Sequence, residues 1–326
     1  MPPSLKNPPF LLGVNYPWLN YGEDFGATIH GHKGVSLPEH QKLLHEDFLR
    51  IQESGAEIVR WFLFADGRSG FSENGGVAGK PDDFLFQDVA ALLKLAERHK
   101  LKICLSLIDY LWLQEHSAQR EKHAHHSLLQ FAAGRESFLL RVLIPLFREF
   151  SGHSGLFAWE IANEPEWAIR EFHRNAVARM RFAELRAFAA EIAKAAQEFG
   201  KVPVTLGSAR LMWVRAWSKI GLDFYQAHYY PSAERDASGD LAAQLAILPE
   251  LDKPLWLGEL PARDPGAPGY SLETALHVCH DAGLYGAAVW RWSAPELTGT
   301  DVAIGQVQAV ALRSWLDQAR DKALRA

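Results

Sequence analysis

Leu156-Phe157-Ala158-Trp159-Glu160-Ile161-Ala162-Asn163-Glu164-Pro165-Glu166 begins as an apolar run of strand length and closes on a polar Asn-Glu-Pro. Residues 156–161 read as a short buried strand. Pro165 has no amide hydrogen to give a ladder and turns the backbone out of it. Glu164 therefore belongs on the rim of the sheet, beside an amide side chain. A carboxyl so placed suits general-acid work, such as protonating the oxygen of a glycosidic bond while Asn163 bonds a neighbouring hydroxyl. The plainer alternative is a helix-start glutamate on a solvated loop.

Outward from this segment the same grammar repeats. Further apolar or β-branched runs fall at 11–16, 57–64, 102–108, 202–207, 224–228, 255–258 and 287–290. Helix-length segments separate them, and parallel strands need such crossovers. Together they predict an α/β protein, a single (β/α)8 TIM barrel occupying residues 1–326 as one domain. Ser36-Leu37-Pro38-Glu39 reads as a capping box opening a helix that Gly55 ends. Pro81-Asp82-Asp83 opens the next, with Phe84, Val89, Leu92, Leu93 and Ala96 as its apolar stripe. Residues 180–199 and 302–323 are expected to be helical too. The long loops, 18–34, 65–80, 109–134 and 166–175, all follow strand C-terminal ends, where such a barrel keeps its active site.

Bulk properties narrow the function classes. The chain has 326 residues, 48% hydrophobic and 22% charged, the balance of a globular protein. A formal charge of −5 leaves no basic stripe, which argues against nucleic acid and anionic membranes as partners. Eleven tryptophans are many for this length; some are expected in the core, and indoles are also flat platforms for sugar faces. Cys104 and Cys279 sit in apolar settings and read as buried free thiols. The N-terminus lacks the charged and apolar regions of a secretory signal, so a cytoplasmic location is expected. The oligomeric state stays open.

A second carboxylate follows the pattern of the first. Pro254-Leu255-Trp256-Leu257-Gly258-Glu259-Leu260-Pro261 is again an apolar strand that ends in glutamate. Glu164 would close the fourth strand and Glu259 the seventh, positions that face each other across an eight-strand ring. Two carboxylates there can flank one bond. Glu160, inside its strand, reads instead as the buried partner of a cation.

With these segments in view, the chain resembles glycoside hydrolase clan A, and most of all family 5, the cellulase and mannanase family. The likeness runs over nearly its whole length. It rests on Gly13-Val14-Asn15, on the passage from Glu53 to Arg60, on Asn163-Glu164-Pro165, on Leu222 through His228-Tyr229-Tyr230, on Glu259, and on Trp290-Arg291-Trp292. The resemblance implies a retaining hydrolase of β-linked gluco- or manno-type glycosides, working through a covalent glycosyl-enzyme without cofactor or metal. It implies Glu164 as acid/base, Glu259 as nucleophile, Arg60 as support of the nucleophile, and His228 and Tyr230 bordering it. It also implies an indole beneath the sugar, for which Trp292 is preferred to Trp290 as lying nearer the mouth. One departure stands out: the family often has a histidine just after its third strand, whereas this chain has Asp109-Tyr110. Asp109 or Tyr110 would then take over that sugar contact.

Two other classes compete. A catalytically silent carbohydrate-binding barrel would keep the groove, but it has no need of both glutamates with Arg60 and Tyr230. A metal-dependent hydrolase would draw on His30, His32, His116, His123, His125 and His126. Those lie in polar loops without a cysteine partner or a His-Glu-x-x-His helix, so a solvated or substrate-contacting loop is expected.

Overall fold

The structure, a computed structural model, describes residues 10–114, 128–172, 180–232, 237–262, 268–292 and 312–317. Eight parallel strands close into a barrel. They are β1 (Leu11–Asn15), β2 (Ile58–Phe64), β3 (Lys102–Ile108), β4 (Leu156–Asn163), β5 (Val204–Ser208), β6 (Tyr225–His228), β7 (Leu255–Pro261) and β8 (Gly286–Trp290). Each pairs with its neighbours in sequence, and β8 closes the ring on β1, with Gly13 opposite Ala288. These are the eight runs expected from the sequence, with ends shifted by up to three residues.

The outer ring includes α1 (Pro38–Glu53), α2 (Asp83–Arg98), α3 (Phe182–Ala195), α4 (Ala237–Ala246) and α5 (Leu272–Asp281). A helical stretch over 132–149 follows β3, and only a 3-10 segment, Leu211–Trp217, follows β5. Of the expected last helix, residues 312–317 are helical, and the rest lies outside the described residues. Two hairpins unforeseen from the sequence ornament the first two long loops, at residues 27–32 and 71–81.

Local chemistry explains the start of α2 and the end of α1. Asp82 caps α2 by accepting from the Leu85 amide at 2.8 Å, and Gly55 turns out of α1 with φ 84°. The expected capping box at Ser36 does not form. Leu37 is the N-cap, Ser36 Oγ has no partner among the described residues, and the Ser36 amide goes to Asp88 Oδ1 at 2.9 Å instead. Phe84 also leaves the expected apolar stripe: Leu85 takes the inward place, and Phe84 stacks on His32 with ring centroids 4.2 Å apart.

The barrel interior is layered. Its inner floor is an apolar cluster of Ile58, Cys104, Phe157, Ala158, Phe224, Trp256 and Ala288. One pleat further along each strand the lining turns polar, with Arg60 after Ile58, Glu160 after Ala158 and Ser106 after Cys104, all buried. Both cysteines are free and buried, as expected. A second, larger apolar layer fills the space between strands and helices. No helix among the described residues is long and apolar enough to cross a membrane.

Candidate active site

A bulge in β7 aims Glu259. Leu257 pairs with Ala287 but Leu260 with Val289, so β7 carries one extra residue around Gly258. Plain alternation from inward-facing Trp256 would turn Glu259 outward; the extra residue brings it back over the barrel axis. Gly258 leaves room for the buried Gln226, whose Nε2 an added Cβ would meet at 2.3 Å unless that side chain shifted. Glu259 is 4% exposed and held from two sides. Arg60 Nη1 donates to its Oε1 at 2.8 Å, and the Tyr230 hydroxyl to its Oε2 at 2.7 Å. Arg60 is fully buried and also forks onto Glu160, Nε at 2.6 Å and Nη2 at 2.7 Å. Glu160 is thus the buried partner of a cation that the sequence suggested. Burial raises the Glu259 carboxyl above the ordinary glutamate value, and the charges of His228 and Arg60 oppose that rise.

Glu164 is set by a different device. β4 also carries an extra residue, between Glu160 and Asn163, and Glu164 follows with φ 47° and ψ 43°, in the left-handed region. Pro165 then begins a 3-10 turn, Pro165–Ala168, as its ring prefers. The Glu164 amide donates to Gly207 O at 2.7 Å. Its carboxyl meets Trp167 Nε1 at 2.8 Å and His228 Nδ1 at 2.8 Å. Burial pushes this carboxyl up to about 7; the Trp167 hydrogen bond and the Arg60 charge pull the other way and are outweighed. His228 is shifted down by its own burial, and the charge of Glu259 opposes that shift. It borders both glutamates, standing 3.5 Å from Glu259 Oε1, and so is nearer to Glu164 than to the expected partner.

Glu166, to which the sequence assigned no role, anchors the turn that carries Glu164. It is fully buried and accepts from Ser208 Oγ at 2.6 Å, Trp217 Nε1 at 2.6 Å and the Ala209 amide at 3.0 Å. A charged group after Asn-Glu-Pro was the available signal, but its partners lie more than forty residues away.

A cleft of about 990 Å³ opens over the two glutamates. Asn163 and Asp109 line it and bond each other, Nδ2 to Oδ2 at 2.7 Å, while Asn163 Oδ1 accepts from Arg60 at 2.7 Å. Arg60 can only donate, so it fixes which way the Asn163 amide points. Asp109 also caps the turn Tyr110–Leu113 through the Leu111 amide. In this structure Asp109 thus supports Asn163, and Tyr110 lines the cleft next to it.

The choice between the tryptophans reverses. Trp290 lines the cleft, whereas Trp292 is 4% exposed and packed in the outer core, with its side chain hydrogen-bonded to Asp47. The ladder ends at Trp290, so the two-residue alternation that lifts Trp290 above Ala288 does not extend to Trp292. Trp290→Ala is therefore expected to lower kcat/KM with little change in melting temperature. Trp292→Ala is expected to destabilise by about 3–5 kcal/mol, the cost of emptying a buried indole site. Thermal unfolding beside kinetics on both variants checks this; a larger thermal loss in the Trp290 variant would refute it.

Glu164, His228 and Glu259 offer ligand atoms within 4.8 Å of one another, the one such group among the described residues. The Arg60 guanidinium against Glu259 already supplies a positive charge there, and a second cation would be repelled by it. Of the loop histidines, His32 pairs with Asp88 at 3.0 Å, away from the glutamates, and His116, His123, His125 and His126 lie outside the described residues.

Barrel, facing glutamates, buried arginine and aromatic cleft are the parts of a glycoside hydrolase with a family 5-like β-mannanase fold. No protein-family profile matches the chain. Its sequence is similar to a mannan endo-1,4-beta-mannosidase from Mytilus edulis, 26% identical over 328 residues, 89% of this chain and 84% of the relative. A second relative of that name, from Cryptopygus antarcticus, is 27% identical over 165 residues, 49% of this chain and 39% of its own. Among solved structures, the beta-mannanase of Mytilus edulis superposes with TM-score 0.71 at 22% identity, covering 93% of this chain and 90% of the other. The endo-1,4-beta-mannanase of Eisenia fetida gives 0.73 at 22% identity, covering 94% and 91%.

Proposed function

We propose that this chain hydrolyses β-1,4-linked mannan-type chains with retention, using Glu259 as nucleophile and Glu164 as acid and then base. One observation carries the mechanism: an oxygen of Glu164 and one of Glu259 lie within 4.8 Å. So close an approach favours the retaining separation of about 5–5.5 Å over the about 6.5–9.5 Å that inversion uses. Glu259, oriented by Arg60 and Tyr230, attacks the anomeric carbon. Glu164 gives its proton to the departing oxygen. In the second half Glu164 takes a proton from water, which attacks the same carbon and frees Glu259. The choice of mannan draws on the names of the similar proteins, and Trp290 supplies an apolar face for a pyranose.

The test is a panel of β-1,4-mannohexaose, cellohexaose and aryl β-glycosides, with the first-formed anomer read by proton NMR. Release of the β-anomer from mannohexaose is expected. An α-anomer appearing first, or no cleavage of any member, would overturn the reading.

The pH dependence follows from the two carboxyls. Glu164 must hold its proton, so kcat/KM on oligosaccharides should fall about tenfold per pH unit above 7, the value to which burial lifts it. Glu259 must be ionised, so an acid limb should appear above the ordinary glutamate range. The alkaline limb should vanish in Glu164→Ala acting on a dinitrophenyl glycoside, which needs no acid. Persistence of that limb would assign it to another group.

A further inference from the structure

We propose that Arg210 makes the leaving-group side of the cleft a site for an anionic saccharide unit, one bearing a carboxylate or a sulfate ester. The proposal rests on the reading of Glu164 as the acid, which fixes that side as the one beyond Glu164 from Glu259.

Arg210 follows the C-terminal end of β5 and lines the cleft with its side chain exposed. Its guanidinium lies over two indoles, 5.4 Å from the centroid of Trp167 and 5.2 Å from that of Trp213. No ion pair or side-chain hydrogen bond among the described residues occupies it. Arg60 and Arg68, by contrast, are spent on carboxylates, and Arg186 on backbone carbonyls.

A guanidinium resting on indole faces keeps its in-plane N–H groups free at the edge, and that fork matches two oxygens of one anion. Neutral hydroxyls would be served as well by an amide, without a charge. Trp167, Ala209 and Met212 line the cleft with Arg210, and the acidic Asp240 that also lines the cleft accepts from Tyr229 at 3.1 Å and Gln244 at 2.8 Å.

The site is built and firmly held. Ser208 Oγ donates to Glu166 at 2.6 Å and lies 3.1 Å from the Arg210 carbonyl, and Glu166 accepts from the Ala209 amide as well. Trp167 bonds the acid directly, so Arg210, Trp167 and Glu164 form one connected row from the unit that departs to the proton it receives.

Three substrates test this: neutral β-1,4-mannohexaose, the same hexaose partly oxidised at C6 to uronates, and the same hexaose partly sulfated at O6. Each is given to the wild type, Arg210→Met and Arg210→Lys, and cleavage positions are read by mass spectrometry. The wild type should cut so that a charged unit begins the departing fragment, for the uronate, the sulfate or both. Arg210→Met should lower kcat/KM at those positions about tenfold or more while neutral hexaose changes less than about threefold, the size of one charge-assisted contact. Arg210→Lys should keep part of the preference, and 0.5 M salt should weaken it in the wild type. Exclusion of both kinds of charged unit from the leaving side overturns the inference. So does an equal loss on charged and neutral chains in Arg210→Met, which would make Arg210 a hydroxyl ligand. Failure of the wild type to cleave neutral hexaose would instead count against the proposed function itself.

Discussion

Glu259→Ala is expected to abolish turnover of every glycoside, activated or not, whereas Glu164→Ala is expected to keep the activated ones. The nucleophile is needed to form the glycosyl ester whatever departs, so its loss should cost a factor of about 10⁵ or more. The acid matters in proportion to the basicity of the leaving oxygen. Oligosaccharides should therefore slow by about 10²–10⁴ in Glu164→Ala, while a dinitrophenyl glycoside still forms the intermediate. Azide supplies the decisive measurement. In Glu164→Ala it can attack the glycosyl-enzyme from the vacated side and give a β-glycosyl azide. In Glu259→Ala it takes the place of the nucleophile and gives the α-azide. An α product from the Glu164 variant would reverse the two roles, and full activity in both variants would end the glycosidase reading.

The second large effect concerns Arg60, where stability and reactivity share one side chain. Arg60→Met should lower unfolding free energy by about 3–5 kcal/mol, because Glu160 and Glu259 would be left buried without their cation. That is a large share of the roughly 5–15 kcal/mol typical of a folded protein. The double variant Arg60→Met/Glu160→Gln should recover part of the stability, since one orphaned charge is gone. It should not recover activity, because Glu259 still lacks its clamp. Urea unfolding at pH 7 beside kcat/KM separates the two quantities. Unchanged stability in Arg60→Met would show that water reaches the cluster and that the pairing contributes little.

How far the sequence could be read depended on the reach of each signal. Strands β1 to β8 were legible because each is an apolar run bounded by polar or turn residues, a pattern complete within about ten positions. Glu164 and Glu259 were legible for the same reason, each closing such a run. Arg60, His228 and Tyr230 came from motif resemblance, and only the structure supplied their distances. The extra residues in β4 and β7 left no mark in the sequence, although they decide which side chains face the axis. Trp292 was preferred to Trp290 as lying nearer the mouth, but the ladder ends at Trp290 and the chain past it turns into the outer core. Ser36 had the right residues for a capping box, but its amide was drawn to Asp88, which lies 52 positions away. Glu166 and Arg210 belong to the same category, since what they do depends on partners or faces that local patterns do not encode.

The buried Arg60–Glu160–Glu259 cluster has a further consequence when its charges are counted. In its ion-paired form it holds one guanidinium against two carboxylates and so carries an excess negative charge inside the barrel. In the proposed mechanism the first chemical step converts Glu259 to a neutral ester. The guanidinium is then matched one to one by Glu160, and the excess disappears. The resting enzyme, not the covalent intermediate, is therefore the electrostatically unbalanced state. Glycosylation relieves an imbalance that the fold holds in reserve, and water must restore it at every turnover.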